Sequence, residues 1–143
     1  MNQIKRVEIH EFTHSVTNLG LLTNANTIGA VGYSKGQSIN LDKFAVVIET
    51  KDGCRGEYVT HWGGNQVACA QAKMLAPKLL EYNAEEREKI YDDFKRELRQ
   101  FDHMGHGPLD IALWHWAGKK LNCSIAVLLG SYRKYLKAYA STY

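Results

Sequence analysis

The stretch Gly107–Gly130, GPLDIALWHWAGKKLNCSIAVLLG, decides how this chain folds. Gly107 is an acceptable helix cap, Pro108 suits the first helical position, and Asp110 complements the positive end of the helix dipole. The apolar residues that follow recur with the helical period and predict one broad buried face, made of Ile111, Leu113, Trp114, Ala117 and Leu121. We therefore predict a buried helix with its first tryptophan in the core.

The second half of this stretch predicts where the helix ends. Asn122 can adopt the left-handed conformation that terminates a helix. Ser124 can cap the short apolar turn that follows, and Gly130 can end it. Nothing in the stretch performs chemistry by itself.

The N-terminal part of the chain carries the pattern of β-strands. Ile4–His14 alternates apolar and polar residues, and Lys43–Thr50 is the clearest strand. Lys51–Gly53 indicates a tight turn, after which Cys54–Thr60 returns as the hairpin partner. These segments predict three antiparallel strands in a meander.

The segment Ser15–Asp42 lies between the first two predicted strands. It is rich in Asn, Gly, Ser and Thr and has only short apolar patches. A usual connection has about 4–6 residues, and much longer loops are commonly functional or disordered. We therefore predict a long functional loop.

After the strands, the apolar period changes towards that of helices. Asn65 can cap a helix whose apolar residues are Val67, Ala70, Met74 and Leu75. A second helix has one apolar stripe, formed by Ile90, Tyr91, Phe94, Leu98 and Phe101. Strands first and helices afterwards predict an α+β fold, a three-stranded antiparallel meander followed by a helical bundle.

Length and composition narrow the class of protein. A chain of 143 residues suits one domain, and 45% apolar with 23% charged residues is ordinary for a globular protein. The net charge of +3 is spread among acidic residues, which argues against nucleic-acid binding. The three cysteines (Cys54, Cys69 and Cys123) lack metal-site spacing and indicate a reducing cytoplasm. We expect no membrane segment and no signal peptide.

The order of the residues in the central stretch is more informative than its helical pattern alone. The string D-I-A-L-W-x-x-A-G-K-x-L, then LLG, then L-K-A-Y-A-S, resembles the end of the N-terminal domain in the mandelate racemase / muconate lactonizing enzyme branch of the enolase superfamily. Two departures lie in the structural part of the motif. The chain has His115 where the family usually has Asp, and Ser131 where it usually has a second Gly.

The resemblance implies a domain organisation. Residues 1–131 would form the capping domain, with the meander in 4–60 and the helical part in 65–130. Residues 132–143 would form a linker and the first strand of a (β/α) barrel. A complete barrel of this type needs about 250 residues, so we expect the catalytic barrel to be absent from this chain. Trp116 would pack against the flank of the bundle or against that barrel.

The resemblance also implies an activity for the full-length enzyme. Members of this branch abstract a proton α to a carboxylate and stabilise the product on Mg²⁺, as racemases, cycloisomerases or dehydratases. Their bases and metal ligands lie on later barrel strands, so we predict no catalytic residue, no metal ligand and no turnover for this chain alone. The implied partners are a hydroxy acid or sugar acid and further copies of the enzyme.

Three segments could contact that substrate. The capping domain of the family closes two loops over the active site. By position these loops correspond here to the long segment with Tyr33 and Lys35 and to the segment with His61 and Trp62. At the predicted barrel strand, the family motif places a tyrosine and a serine, which correspond to Tyr139 and Ser141.

Other residues suggest alternative functions less strongly. His103 and His106 are better explained as a loop pair than as metal ligands, and His115 as a hydrogen-bonded helix residue. Glu49 and Glu57 on paired strands invite comparison with a two-carboxylate glycosidase. The main alternative is a free-standing, non-catalytic interaction domain that binds its partner through the helical face, including Trp116.

Overall fold

The computed structural model of the protein describes residues 2–23, 29–61 and 65–140. The chain divides into two compact units. The core unit comprises Met1–Glu11 and Lys43–Ser131, and the arm unit comprises Phe12–Asp42 and Tyr132–Tyr143. The two units are described separately below.

One antiparallel sheet contains three strands in the order β1-β2-β3. The strands are β1 (Ile4–Leu21), β2 (Val31–Thr50) and β3 (Arg55–Val59). In the register of β2 and β3, Ala45 lies opposite Val59 and Glu49 lies opposite Arg55. The predicted meander is confirmed.

Four helices follow the sheet, namely α1 (Asn65–Leu79), α2 (Arg87–Glu97), α3 (His106–Leu121) and α4 (Ile125–Leu128). Helix α3 packs against β3 and also contacts the other three helices. The predicted α+β architecture is therefore correct, and the central stretch of the sequence is also the centre of the core unit.

The hydrophobic core fills the space between the sheet and the helices. Four of the elements each contribute a row of residues that are at most 5% exposed. These are Phe44, Val46 and Ile48 from β2; Ala68, Cys69, Ala72, Leu75 and Leu79 from α1; Ile90 and Phe94 from α2; and Leu109, Ala112, Leu113, Trp116 and Ala117 from α3.

The predicted end of α3 is confirmed. Asn122 follows the helix with φ 50°, in the left-handed region, and Gly130 has φ 93°. The Ser124 side chain accepts a hydrogen bond from the Val127 backbone N–H at 3.2 Å and so caps α4. Each of these signals acts on neighbouring backbone, which is why the sequence reveals them.

The predicted face of α3 is partly wrong. Trp116, not Trp114, is the core tryptophan, with 1% of its surface exposed. Its Nε1 donates a hydrogen bond to Thr50 Oγ1 at 3.0 Å. Trp114 is only half-buried and lies under the Arg87 guanidinium, 4.7 Å from the ring centroid. Two other predicted core residues are exposed, Ile111 at 39% and Leu121 at 61%.

The predicted faces of the first two helices also need correction. In α1 Val67 and Met74 are exposed, and the buried row contains several small side chains instead. Small residues allow neighbouring segments of the chain to approach the helix backbone closely. A Cβ on Gly105 would overlap the Ala72 backbone nitrogen at 2.6 Å. Tyr91 in α2 is also exposed, and so is Phe101, which lies beyond the end of α2.

The prediction of a loop over Ser15–Asp42 is wrong. Most of that segment belongs to β1 and β2, and only residues 22–30 connect them. Strand pairing accounts for the difference, because a polar segment with residues such as Thr17 and Ile39 can form a strand when a partner is available. The two strands of the arm are irregular at one point, where the Gly36 N–H donates to Asn18 Oδ1 at 3.0 Å.

Residues 131–140 contain no helix or strand. Their large side chains are 79–90% exposed, namely those of Tyr132, Tyr135, Leu136 and Tyr139. A barrel strand requires neighbouring strands on both sides, so the first barrel strand and the domain boundary at Ser131 stay predictions. Among the described helices, none is long and apolar enough to cross a membrane.

Candidate functional site

Two of the predicted substrate-binding residues lie together on the arm. Tyr33 and Lys35 are two residues apart in β2, so their side chains share one face of the strand. Both are exposed, Tyr33 at 72%. Neither side chain forms a hydrogen bond or an ion pair with any residue in the described part of the chain. Both are therefore available to a ligand.

Glycines of the arm have specific structural roles. Gly32 is buried, and an added Cβ would lie 2.9 Å from a methyl group of Leu22. At Gly20 an added Cβ would overlap the side-chain oxygen of Gln37. Gly36 has φ 79°, which other residues rarely adopt. At Gly20 and Gly32 the glycines make room for packed side chains.

The segment Phe12–Leu41 of the arm carries very little charge. Between Phe12 and Leu41 the sequence contains no Asp or Glu, and Lys35 is its only Lys or Arg. Because this segment contains no carboxylate and Lys35 has no ion pair among the described residues, the Lys35 ammonium can attract an anionic ligand. The surrounding Thr, Asn and Ser residues provide hydroxyl and amide groups for hydrogen bonds.

The structure describes two of the other four predicted contact residues. His61 belongs to the core unit, is exposed and follows Thr60, whose buried hydroxyl donates to the Phe44 carbonyl at 3.2 Å. Tyr139 is 87% exposed in the arm unit. Trp62 and Ser141 lie outside the described residues.

The pair His103 and His106 does not form a metal site. His106 is the first residue of α3, and its ring centroid lies 4.7 Å from that of Tyr91 and 6.1 Å from that of Phe94. In the described ranges, no group of three or more His, Cys, Asp or Glu side chains could hold a metal ion. The described residues therefore offer no cluster of ligands for the Mg²⁺ that the resemblance implies.

Burial lowers the pKa of the His106 imidazole below its ordinary value of 6.5, because Nε2 is buried without a hydrogen-bond partner. Asp110 opposes this shift, and His103 adds to it. The unfolded chain consequently binds a proton near pH 6.5, where the folded chain does not. The contribution of His106 to the free energy of unfolding should therefore be complete above pH 6.5, and it should decrease as the pH falls below that value.

We expect His106→Phe to remove this acid sensitivity. The phenylalanine ring keeps the contacts with Tyr91 and Phe94. The loss of stability at low pH should shrink by about 1.4 kcal/mol for each unit by which the pKa of His106 differs between the folded and unfolded chain. Urea unfolding between pH 7 and pH 5 measures the effect. His14→Gln, at an exposed position in β1, is the matched control and should lose stability like the wild type. Equal acid sensitivity of His106→Phe and the wild type would exclude this role.

Glu49 and Glu57 do not form a glycosidase pair. A hydrogen bond from Arg6 at 2.7 Å and another from Arg55 at 2.9 Å keep the pKa of Glu49 below its usual range. A hydrogen bond from Lys119 at 2.9 Å lowers the pKa of Glu57. Both carboxylates therefore stay ionised, and neither can serve as the general acid that glycoside hydrolysis needs.

His115 is a hydrogen-bonded helix residue, as predicted. Its Nδ1 lies 3.0 Å from the Glu57 backbone nitrogen and 2.9 Å from the Glu57 carbonyl oxygen, so either tautomer can bond to β3. His115 also lines an open groove of about 520 Å³ with Lys119 and Cys123. His115 and Lys119 both bond to Glu57 and so hold α3 against β3. They are therefore not free to act as an acid–base pair in this groove.

Comparison with known proteins decides the family. The family model described as mandelate racemase / muconate lactonizing enzyme, N-terminal domain, matches residues 30–130. The chain belongs to this family. The mandelate racemase / muconate lactonizing enzyme resemblance of the central stretch is thereby confirmed. No curated protein sequence matches the chain.

Several solved structures share the fold. The chain is 20% identical to a dipeptide epimerase from Enterococcus faecalis V583, with a TM-score of 0.71 over 91% of this chain and 35% of that one. It is 22% identical to an L-talarate dehydratase from Polaromonas sp. JS666, with a TM-score of 0.70 over 92% and 36%. A 3,6-anhydro-D-galactonate cycloisomerase from Zobellia galactanivorans is 22% identical, with a TM-score of 0.65 over 90% and 32%.

These comparisons establish the fold and show that it occurs within longer chains. The chain spans about a third of the length of the similar structures. The epimerase structure contains Mg and the dipeptide L-Leu-L-Tyr, and the talarate dehydratase structure contains Mg and L-glucarate. Similar capping folds therefore occur in enzymes with different substrates.

Proposed function

We propose that the chain is the capping domain of a cytoplasmic, Mg²⁺-dependent enzyme that abstracts a proton α to the carboxylate of a hydroxy acid or sugar acid. The family match over residues 30–130 is the observation that carries this proposal. The likeness to an epimerase, a dehydratase and a cycloisomerase supports an isomerase or lyase. The proposed enzyme contains more than one copy of the chain.

The role of this chain is to bind and enclose the substrate. The arm presents the Lys35 ammonium and the Tyr33 hydroxyl on one exposed face. Lys35 would pair with an anionic group of the substrate, and Tyr33 would hydrogen-bond a hydroxyl group. The absence of acidic residues from Phe12 to Leu41 favours a hydroxylated acid over a substrate with a free ammonium group.

The chemical step lies outside the described residues. Bound Mg²⁺ would stabilise the negative charge that develops when the proton leaves, but these residues include no cluster of ligands for it. We therefore assign no catalytic base and no metal ligand to this chain. The alternative of an interaction domain that binds through Trp116 is not favoured, because that side chain is 1% exposed.

The product of the complete reading frame tests this function. Incubation in D2O with Mg²⁺ and a panel of aldonic acids, aldaric acids and dipeptides should exchange the proton α to one carboxylate, as seen by NMR. This exchange is common to racemisation, cycloisomerisation and dehydration. The 143-residue chain alone should give none. Absence of Mg²⁺-dependent exchange across the panel would reject the proposed activity, and a stop codon after Tyr143 would favour the interaction domain.

Substitution of Lys35 should weaken substrate binding in that full-length enzyme. We expect Lys35→Met to raise KM by about tenfold with a smaller change in kcat, because a charge-assisted hydrogen bond contributes about 1.5–3 kcal/mol. Lys35→Arg should restore most of the loss. Lys95→Met, on exposed α2, is the control and should leave KM unchanged. An unchanged KM in Lys35→Met would show that the arm does not bind the substrate.

A further inference from the structure

Two residues inside the strands of the arm have a backbone conformation that regular strands lack. Asn18 in β1 has φ 57°, and Gly36 in β2 has φ 79°. Within the strands of the described residues, no other residue has φ in the left-handed region. Glycine adopts this conformation freely, and asparagine tolerates it better than most residues with a Cβ. Unusual backbone conformations of this kind concentrate at functional sites.

Asn18 and Gly36 lie across from each other in the arm. A Cβ added to Gly20 would lie 2.9 Å from Ser34 Cβ, so Gly20 and Ser34 are opposite residues of β1 and β2. Two residues further along each antiparallel strand, the next such pair is Asn18 and Gly36. The Gly36 N–H donates to Asn18 Oδ1 at 3.0 Å. The Asn18 side chain itself therefore connects the two strands at the irregular pair.

The irregular pair changes the alternation of side chains along β2. Ser34 and Gln37 are three residues apart, so a regular strand would place them on opposite faces. A Cβ added to Gly20 would nevertheless meet both the Ser34 side chain and Gln37 Oε1. The alternation is therefore interrupted between Ser34 and Gln37, where Gly36 has its left-handed conformation. Because Lys35 directly precedes Gly36, the direction of the Lys35 side chain depends on this irregularity.

We propose that Asn18 is a positioning residue for Lys35, an inference that rests on the proposed function, in which Lys35 binds the anionic group of the substrate. The hydrogen bond from Gly36 to Asn18 Oδ1 holds Gly36 in one conformation, and Gly36 in turn fixes the direction of Lys35. Without this bond the glycine can adopt several conformations. Substrate binding must then order the Lys35 side chain again, which lowers the affinity.

Asn18→Gly in the full-length enzyme tests this role. Glycine accepts the left-handed conformation at position 18, so the change removes the Oδ1 acceptor without straining the backbone. We expect KM to rise about fivefold with a smaller change in kcat. The rise should be smaller than that of Lys35→Met, because the ammonium is still present. Asn40→Gly, the same change at another exposed residue of the arm, is the control and should leave KM within about twofold of the wild type.

A double-mutant cycle separates this inference from the proposed function. If Asn18 acts through Lys35, Asn18→Gly should raise KM in the wild type and change it less than about twofold in the Lys35→Met background. An equal rise of KM in both backgrounds, or a fall of kcat at constant KM, would overturn the positioning role and leave Lys35 as the binding residue. An unchanged KM in Lys35→Met would instead overturn the proposed substrate contact of the arm, and this inference with it.

Discussion

Replacing Gly56 by alanine is expected to destabilise the core unit by about 3 kcal/mol, the upper end of the usual cost of overpacking. Gly56 lies in β3 where α3 crosses it. An added Cβ would overlap the Ala112 carbonyl oxygen and lie 2.7 Å from the Trp116 backbone nitrogen. Because these are backbone atoms of a helix, no side-chain rotation can relieve the overlap, and α3 must move away from the sheet.

Urea unfolding followed by tryptophan fluorescence measures this loss. Gly107→Ala is the matched control, because no atom lies within 4 Å of the added Cβ and this residue is inside α3. That control should be neutral or gain up to about 1 kcal/mol from the better helix propensity of alanine. Equal stability of Gly56→Ala and the wild type would disprove the close packing of α3 on β3.

Replacing Trp116 by alanine should have the largest effect of any single side-chain truncation, about 3–5 kcal/mol. Trp116 is the largest fully buried side chain, and its indole N–H donates to the Thr50 hydroxyl. The Thr50 hydroxyl also donates to Asp52 at 2.5 Å, in the turn between β2 and β3. The substitution therefore removes a core contact and the hydrogen bond from α3 to Thr50, whereas the ion pair of Lys120 with Asp52 still connects α3 to that turn.

Two further variants separate the contribution of the indole N–H from that of the buried ring and compare the two tryptophans. Trp116→Phe keeps most of the buried ring and loses the N–H, and should cost about 1–3 kcal/mol. Trp114→Ala removes a half-buried ring and its contact with Arg87, and should cost less than Trp116→Ala. Urea unfolding measures the stability of all three tryptophan variants. A greater loss of stability in Trp114→Ala than in Trp116→Ala would show that Trp114 faces the core, as the sequence predicted.

The tryptophans show why the sequence predicted only part of the fold. The ends of α3 depend on Asn122 and Ser124, which act on backbone a few residues away. The choice between Trp114 and Trp116 depends on Thr50 and Gly56, which are distant in sequence. Both faces of α3 are apolar enough to be buried, so its periodicity could not distinguish them.

The arm shows a different limit of prediction. Polar composition favoured a loop over Ser15–Asp42, whereas strand pairing made it a ribbon. The alternation of Val31, Tyr33 and Ile39 with small or polar residues in β2 was the signal that could have revealed it. Tyr33 and Lys35 followed from the family resemblance, and the structure adds their common face. The residues Trp62 and Ser141 stay predictions.

The contact of His115 with the backbone of Glu57 has a consequence for solubility. Edge strands are the places where folded sheets stack into fibrils, and β3 is the last strand on its side of the sheet. The imidazole Nδ1 lies against the outward N–H and C=O groups of Glu57 and bonds to one of them, in the middle of that strand, where an incoming strand would have to bind. We therefore expect a histidine at this position to protect the sheet from aggregation on the β3 side.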